Sequence, residues 1–172
     1  GIEAEDLAAV VDAVCEATSF DEVIFVGKDA MAGAVLQVAV QDMLTEDHEV
    51  SGVVIVGPGA PVPMDLPRLA APLLVLWAED DEIAPFAERH VWLEEFASSE
   101  SRDLVALFKA YPCGGHSLAA ILANDGADET LRHFVASAAL LSGLLDQRHG
   151  GEGPGHAAAA ERAGVLLGSL PG

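Results

Sequence analysis

Four short, nearly continuous apolar runs divide this 172-residue chain, and the stretches between them are spaced like helices. The runs are rich in β-branched and large apolar residues, which is typical of strands covered on both faces. They occupy residues 23–26, 53–56, 73–77 and 104–108. Strands that alternate with helices in this way form open, doubly wound, mostly parallel sheets. The sequence therefore predicts an α/β fold of this kind.

The segments between the runs predict the helices of the same fold. Apolar residues recur at helical spacing in residues 6–18 and 127–147. Residues 30–44 are apolar on nearly every side, which indicates a helix enclosed by the sheet and its neighbours. A further helix is expected to begin at Pro85 and to extend through Phe96, because proline is favoured in a first helical turn.

The C-terminal end of the chain changes composition abruptly. Residues 149–155 read HGGEGPG, a pattern that breaks regular structure and is typical of a linker. Residues 156–172 are rich in alanine and end in apolar side chains, so they predict a short helical tail. We therefore expect a domain over residues 1–148, a glycine-rich linker over 149–155 and a tail over 156–172.

Three polar segments follow predicted strands directly. They read GKDA at residues 27–30, AEDDEIAP at residues 78–85 and YPCGGH at residues 111–116. Functional sites of open α/β sheets lie outside the carboxyl ends of the strands. The three segments are therefore the candidate site.

The order of these segments resembles the α/β-hydrolase family, in which a nucleophile on a strand-to-helix elbow precedes an acid and then a histidine. The elbow of that family, G-x-S-x-G, is similar to residues 27–31 or, shifted by one position, to residues 28–33. The acid motif G-x-x-D-x-x-V-P resembles residues 78–85, and the histidine motif P-x-x-G-H resembles residues 112–116. The resemblance implies the α/β-hydrolase fold from the elbow onward.

Carried over residue by residue, the resemblance places Asp81 at the acid and His116 at the histidine, with either Asp29 or Ala30 at the nucleophile. No serine or cysteine stands there, so ordinary serine-esterase chemistry is excluded. From the sequence we adopt the interpretation of a catalytically degenerate hydrolase-like protein that acts as a structural or binding subunit. If the protein is active, we expect a hydrolase.

Two interpretations of an enzymatic site stay open beside it. In the first, Asp29 attacks carbon as in epoxide hydrolases and haloalkane dehalogenases, while His116, oriented by Asp81, activates the water. Met31 is expected to crowd the turn in that case, and Lys28 is expected to form a local ion pair with Asp29. In the second, Ala30 replaces the serine of an esterase-type triad.

The chain departs from the family pattern in two regions. Only one helix precedes the elbow, whereas the family places several strands and an oxyanion loop upstream. The segment GPGAPVP at residues 57–63 leaves a short connection where many members insert a lid. The resemblance thus implies a sheet that lacks the usual N-terminal strands, the lid and half of the oxyanion hole.

The candidate side chains also have purely structural explanations. Asp81 is well placed to cap the helix predicted at Pro85, and His116 could be a partly solvated loop residue. Cys113, close to His116, could be a nucleophile, but it lies on the histidine's own loop and not on an elbow. Cys15 and Cys113 are otherwise expected to be free thiols.

Charge and hydropathy limit the partners. With 8 Lys and Arg against 28 Asp and Glu, the net charge of −20 opposes binding to nucleic acid and to anionic membranes and would suit a basic protein partner in a larger assembly. No run reaches the length of a membrane span, so a soluble protein is expected, cytoplasmic or organellar after removal of a targeting segment. The remaining histidines show no ligand spacing, and we expect neither a metal nor a cofactor.

Overall fold

The computed structural model describes residues 3–58, 66–98 and 105–148. In chain order these residues form α1 (Ala4–Thr18), β1 (Glu22–Lys28), α2 (Ala30–Gln41), β2 (Glu49–Val56), β3 (Leu73–Ala78), α3 (Arg89–Ser98), β4 (Ala106–Tyr111), α4 (Leu118–Leu122) and α5 (Ala127–Arg148). Short 3₁₀ helices at Leu66–Arg68 and Phe86–Glu88 precede β3 and α3. The predicted α/β architecture is confirmed, although between β2 and β3 the described residues hold only the 3₁₀ helix Leu66–Arg68.

The four strands form one parallel sheet in the order β1-β2-β3-β4. Side chains of the two central strands alternate between two hydrophobic cores, one on each face. Val53, Ile55 and Trp77 face the core beneath α1, α2 and α3, whereas Val54 and Leu76 face the core beneath α4 and α5. Helices on both faces confirm the doubly wound arrangement.

Burial separates the central strands from the edge strands. β3 is buried throughout and β2 nearly so, as expected for strands covered on both faces. In contrast, Val26 on β1 and Leu107 on β4 are 52% and 41% exposed. Four strands span about 15 Å, and a helix is about 10 Å in diameter, so α5 cannot cover that face from edge to edge. The prediction of full burial was therefore wrong for the two edge strands.

The fourth strand also differs from its predicted range. It runs from Ala106 to Tyr111, whereas the apolar run ended at Phe108. Lys109 interrupts the run, but an exposed edge strand accommodates a lysine without burying its charge. Residue 104 lies outside the described residues.

The helices follow their predicted ranges with small shifts at the ends. α5 ends one residue later than expected, and α2 ends at Gln41 with Asp42 in the left-handed conformation. The segment expected to be one helix from Pro85 begins as a 3₁₀ turn and becomes α-helical only at Arg89. The predicted linker over 149–155 and the tail over 156–172 lie outside the described residues. None of the described helices is both long and apolar enough to cross a membrane.

A polar cluster joins α1 to the loop before β2. Asp12 Oδ1 lies 2.7 Å from His48 Nδ1 and accepts hydrogen bonds from the hydroxyl and the backbone N–H of Thr45, both at 3.2 Å. The hydrogen bond from His48 is the largest cause of a lowered pKa at Asp12; partial burial opposes it, and the Thr45 bonds reinforce it. A lowered pKa means that the folded state favours the carboxylate.

We therefore expect Asp12→Asn to destabilise the fold in a pH-dependent way. Above the unfolded pKa of about 3.9, the free energy of unfolding of the wild type should exceed that of the variant by about 1 kcal/mol, the usual net value of such hydrogen bonds. The difference should shrink as the pH falls through the lower pKa of the folded state, where wild-type Asp12 becomes protonated. Urea unfolding at stepwise lower pH measures this. Asp47→Asn, which removes an exposed charge nearby, is the control, and a pH-independent difference would contradict the expectation.

Candidate functional site

The turn between β1 and α2 holds Asp29 in an unusual backbone conformation. Asp29 has φ 54° and ψ −131°, whereas the other non-glycine residues with positive φ among the described ones, Ser19 and Asp42, lie in the ordinary left-handed region. Such a conformation costs on the order of 1–3 kcal/mol and is concentrated at functional sites. The elbow therefore presents Asp29 under backbone strain.

Close packing across the turn forms this elbow. A Cβ at Gly27 would lie 2.9 Å from the Cα of Ala32, so only glycine allows strand and helix to approach this closely. The small residue opposite Gly27 is therefore Ala32. The first helical turn thus carries Ala32 over the glycine, and the expected crowding of the turn by Met31 stays a prediction.

Asp81 lies at the carboxyl end of β3 and is buried, with its two oxygens serving different partners. Oδ1 accepts hydrogen bonds of 2.9 Å from the backbone N–H groups of Ile83 and Ala84. Oδ2 lies 2.7 Å from His116 Nδ1. Oδ1 therefore holds the turn before Pro85 and does not cap the helix predicted there, while Oδ2 takes the position expected of the acid beside the histidine.

The loop that carries His116 is hydrogen-bonded to Asp80, the residue before Asp81. The backbone N–H of Gly115 donates to Asp80 Oδ1 at 2.7 Å, which ties the histidine loop to the acid loop. Gly57 follows β2 with φ +51° and packs against the Asp81 side chain. A Cβ there would lie 2.8 Å from Asp81 Oδ2, so only glycine fits at this position. Sequence reasoning missed the roles of Asp80 and Gly57; only their positions just after strands point to them.

His116 bridges two carboxylates. Its Nδ1 faces Asp81, and its Nε2 hydrogen bonds to Oδ1 of Asp29. The side chain of His116 is 9% exposed, and that of Asp29 is 49% exposed. The three side chains predicted from the motifs therefore meet at the carboxyl edge of the sheet, with Asp29 at the solvent-facing end.

Lys28 contacts the remaining oxygen of Asp29. Its Nζ lies 2.6 Å from Asp29 Oδ2, which confirms the predicted local ion pair. The lysine side chain is 36% exposed. The Asp29 carboxylate thus has a histidine on one oxygen and an ammonium group on the other.

The other candidates lie elsewhere or have other partners. Ala30 is the first residue of α2. The Cys113 thiol donates to Asn124 Oδ1 at 3.2 Å, so it is bonded to the loop that follows α4. Both cysteines are free thiols, as predicted. The described part of the chain contains no cluster of three or more His, Cys, Asp or Glu side chains suited to a metal ion.

The three side chains are of the types that nucleophilic substitution followed by ester hydrolysis uses. A strained, half-exposed carboxylate can attack carbon, and a histidine oriented by a buried acid can activate water against the resulting ester. Nothing in this chemistry requires a metal or a cofactor.

Comparison with known proteins supports the fold. No protein-family model matches the chain, and no curated protein matches it. The chain is similar in structure to MGS-M1, an α/β-hydrolase enzyme from a Medee basin deep-sea metagenome library, with a TM-score of 0.53 and 19% sequence identity. The match covers 83% of this chain and 63% of that protein. The chain therefore has an α/β-hydrolase-like fold and spans less than two thirds of the length of that relative.

Proposed function

We propose that this protein is a hydrolase in which Asp29 is a covalent nucleophile toward an sp³ carbon that bears a leaving group. The observation that carries the proposal is the position of His116, which bridges the Asp29 carboxylate and the buried Asp81. A carboxylate at an elbow with positive φ, facing a histidine, is the arrangement that this two-step chemistry requires.

In the first step an oxygen of Asp29 forms a bond to the substrate carbon, and the bond to the leaving group breaks, so an enzyme ester and a free anion result. In the second step His116 Nε2 takes a proton from water, and the hydroxide adds to Cγ of Asp29. The tetrahedral intermediate then breaks its bond to the alkyl oxygen. That oxygen takes the proton from His116 and leaves as an alcohol, and Asp29 returns to a carboxylate. The balance is R–X and water in, and R–OH, X⁻ and H⁺ out.

The geometry favours Asp29 over Ala30 as the nucleophile position. Asp29 carries the strained backbone and the hydrogen bond to His116, while Ala30 already belongs to α2. An esterase whose serine was replaced by Ala30 would place the reactive atom one residue too late.

The leaving group is better matched to a haloalkane than to an epoxide. Opening an epoxide needs a proton for the departing oxygen, which epoxide hydrolases take from a pair of tyrosines in the lid. Tyr111 is the single tyrosine of the chain, and it is buried in the core beneath α4 and α5. A halide leaves as an anion and needs no proton.

A binding subunit without catalysis is the second candidate, and exposed apolar residues favour it. Val10 and Val14 on α1 are 61% and 55% exposed, and Phe20 beyond that helix is 66% exposed. Exposed apolar surface of this kind is suited to a protein partner. This function predicts that the site residues can be replaced without loss of partner binding.

The test is to trap the ester. His116→Asn should still be alkylated by 1-bromobutane but should not hydrolyse the ester, because an amide cannot deprotonate water. Intact-mass spectrometry should show one butyl group, and peptide mapping should place it on Asp29. The wild type should release bromide and 1-butanol, as should His133→Asn, which replaces an exposed histidine of α5. Styrene oxide tests the epoxide-type reaction in the same way. If neither probe yields an adduct in His116→Asn or product in the wild type, the proposal is wrong.

A further inference from the structure

The two oxygens of Asp29 have different partners, and this difference determines which oxygen attacks the substrate carbon and which one stays beside the lysine. Oδ1 is the oxygen on the His116 side, and Oδ2 lies 2.6 Å from Lys28 Nζ. The oxygen that attacks carbon later leaves as the alcohol and must receive its proton from His116. The attacking oxygen is therefore Oδ1, and Oδ2 stays beside the lysine throughout.

We propose that Lys28 is a catalytic residue that stabilises the oxyanion formed on Asp29 Oδ2 while the enzyme ester is hydrolysed. The inference rests on the proposed function and assigns a task to the residue next to the nucleophile. In the ester, Oδ2 is a neutral carbonyl oxygen. When hydroxide adds to Cγ, Oδ2 becomes negatively charged, 2.6 Å from the ammonium group in the resting geometry.

This change of charge makes the lysine selective for one transition state. An interaction accelerates a step only when it is stronger in the transition state than in the ground state. Lys28 faces a neutral oxygen before the attack of water and an anion during it, so its contribution to hydrolysis is differential. In the preceding alkylation the carboxylate loses its charge, and the ion pair with Lys28 opposes that loss.

The surroundings support this role. The pair of Lys28 with Asp29 is the only ion pair between a lysine or arginine and a site carboxylate in the described part of the chain. The usual oxyanion donor of this fold is the backbone N–H after the nucleophile, here at the N-terminus of α2, together with a loop donor. Lys28 would supply the second donor as a side chain. A partly exposed ammonium group at 36% exposure can follow Oδ2 as Cγ becomes tetrahedral.

Removing Lys28 is therefore expected to affect the two steps differently. Lys28→Met should slow ester hydrolysis about 10²-fold, the usual loss on removing one oxyanion donor, without slowing alkylation. Butyl-enzyme should then accumulate in Lys28→Met during turnover of 1-bromobutane. Lys28→Arg, which keeps the charge, should hydrolyse the ester within about tenfold of the wild type. Lys109→Met, on the exposed edge strand β4, controls for the loss of a positive charge.

Quenched-flow mixing with 1-bromobutane, read by intact mass, measures both steps in all four proteins. Unchanged ester hydrolysis in Lys28→Met, or an equal loss in both steps, would overturn the role of Lys28. An adduct in His116→Asn in the same experiments would show that Asp29 is still the nucleophile, so the proposed function would stand. Should Lys28→Met not fold, Lys28→Arg decides the question. A loss of about 10²-fold in ester hydrolysis in Lys28→Arg, the loss expected for an uncharged side chain, would contradict a charge effect. The absence of any adduct in the wild type and in His116→Asn overturns the proposed function and this role together.

Discussion

Asp29→Asn should reduce bromide release from 1-bromobutane by about 10⁴-fold or more, as is found when a single essential catalytic group is removed. The amide oxygen of asparagine is a poor nucleophile, whereas its size and its tolerance of positive φ match those of aspartate. The fold should therefore persist, and the unfolding free energy should change by no more than about 1 kcal/mol, because the ion pair with Lys28 is partly exposed to solvent. No butyl adduct should form at residue 29.

A matched control lies at the other end of the same helix. Asp42→Asn makes the same chemical change at the other positive-φ aspartate that flanks α2, at its C-terminus. Its activity should equal that of the wild type. If Asp29→Asn also keeps full bromide release, Asp29 is not the nucleophile. If neither the wild type nor either variant is active, the binding-subunit function becomes the better explanation.

Trp77→Ala should cost about 3–5 kcal/mol of stability, the usual loss for removing a large buried aromatic side chain. Trp77 is fully buried on β3, and its ring lies 6.1 Å from the rings of both Phe86 and Phe108. Because small domains are stable by only about 5–15 kcal/mol, this single change should unfold a substantial fraction of the protein under mild denaturant. Urea unfolding followed by far-UV circular dichroism measures the loss.

The same tryptophan also supports the site. Its Nε1 donates to the carbonyl of Ala84 at 2.8 Å, and the N–H of Ala84 donates to Asp81 at 2.9 Å. Trp77→Phe keeps an aromatic ring but loses the hydrogen bond, so it should cost less than the alanine variant and should still lower activity. Leu93→Ala, which truncates an exposed leucine of α3, is the control. A loss under about 1 kcal/mol in Trp77→Ala, similar to that of a surface substitution, would contradict this account.

The fold was largely predictable because each strand carries its own signal. The run at residues 73–77 becomes β3 with one residue added, since a strand buried on both faces must be apolar at successive positions. The run at residues 53–56 is the buried second half of β2, which begins four residues earlier, at Glu49. The edge strands were less predictable. β4 contains Lys109 because its exposed positions are not selected for burial, so an apolar run could not mark its end.

The site was predictable in its order and not in its geometry. The motifs pointed to Asp81 and His116, and the structure places them 2.7 Å apart although 35 positions separate them in the chain. The contact between His116 and Asp29 joins residues 87 positions apart. No local sequence pattern predicts either contact, because both depend on which strands become neighbours in the sheet.

The sequence by itself determined the alternation of strands and helices, the two-faced core and the order of the three site segments. It did so because burial and turn formation depend on the side chains of a few neighbouring residues, which the sequence gives directly. Only the tertiary structure decided that Asp29, and not Ala30, takes the strained position facing His116. It also decided that Asp80 and Gly57 pack against the loop and the side chains that bring Asp81 and His116 together. Those outcomes follow from strand order and close packing at one edge of the sheet, which arise only when distant segments meet.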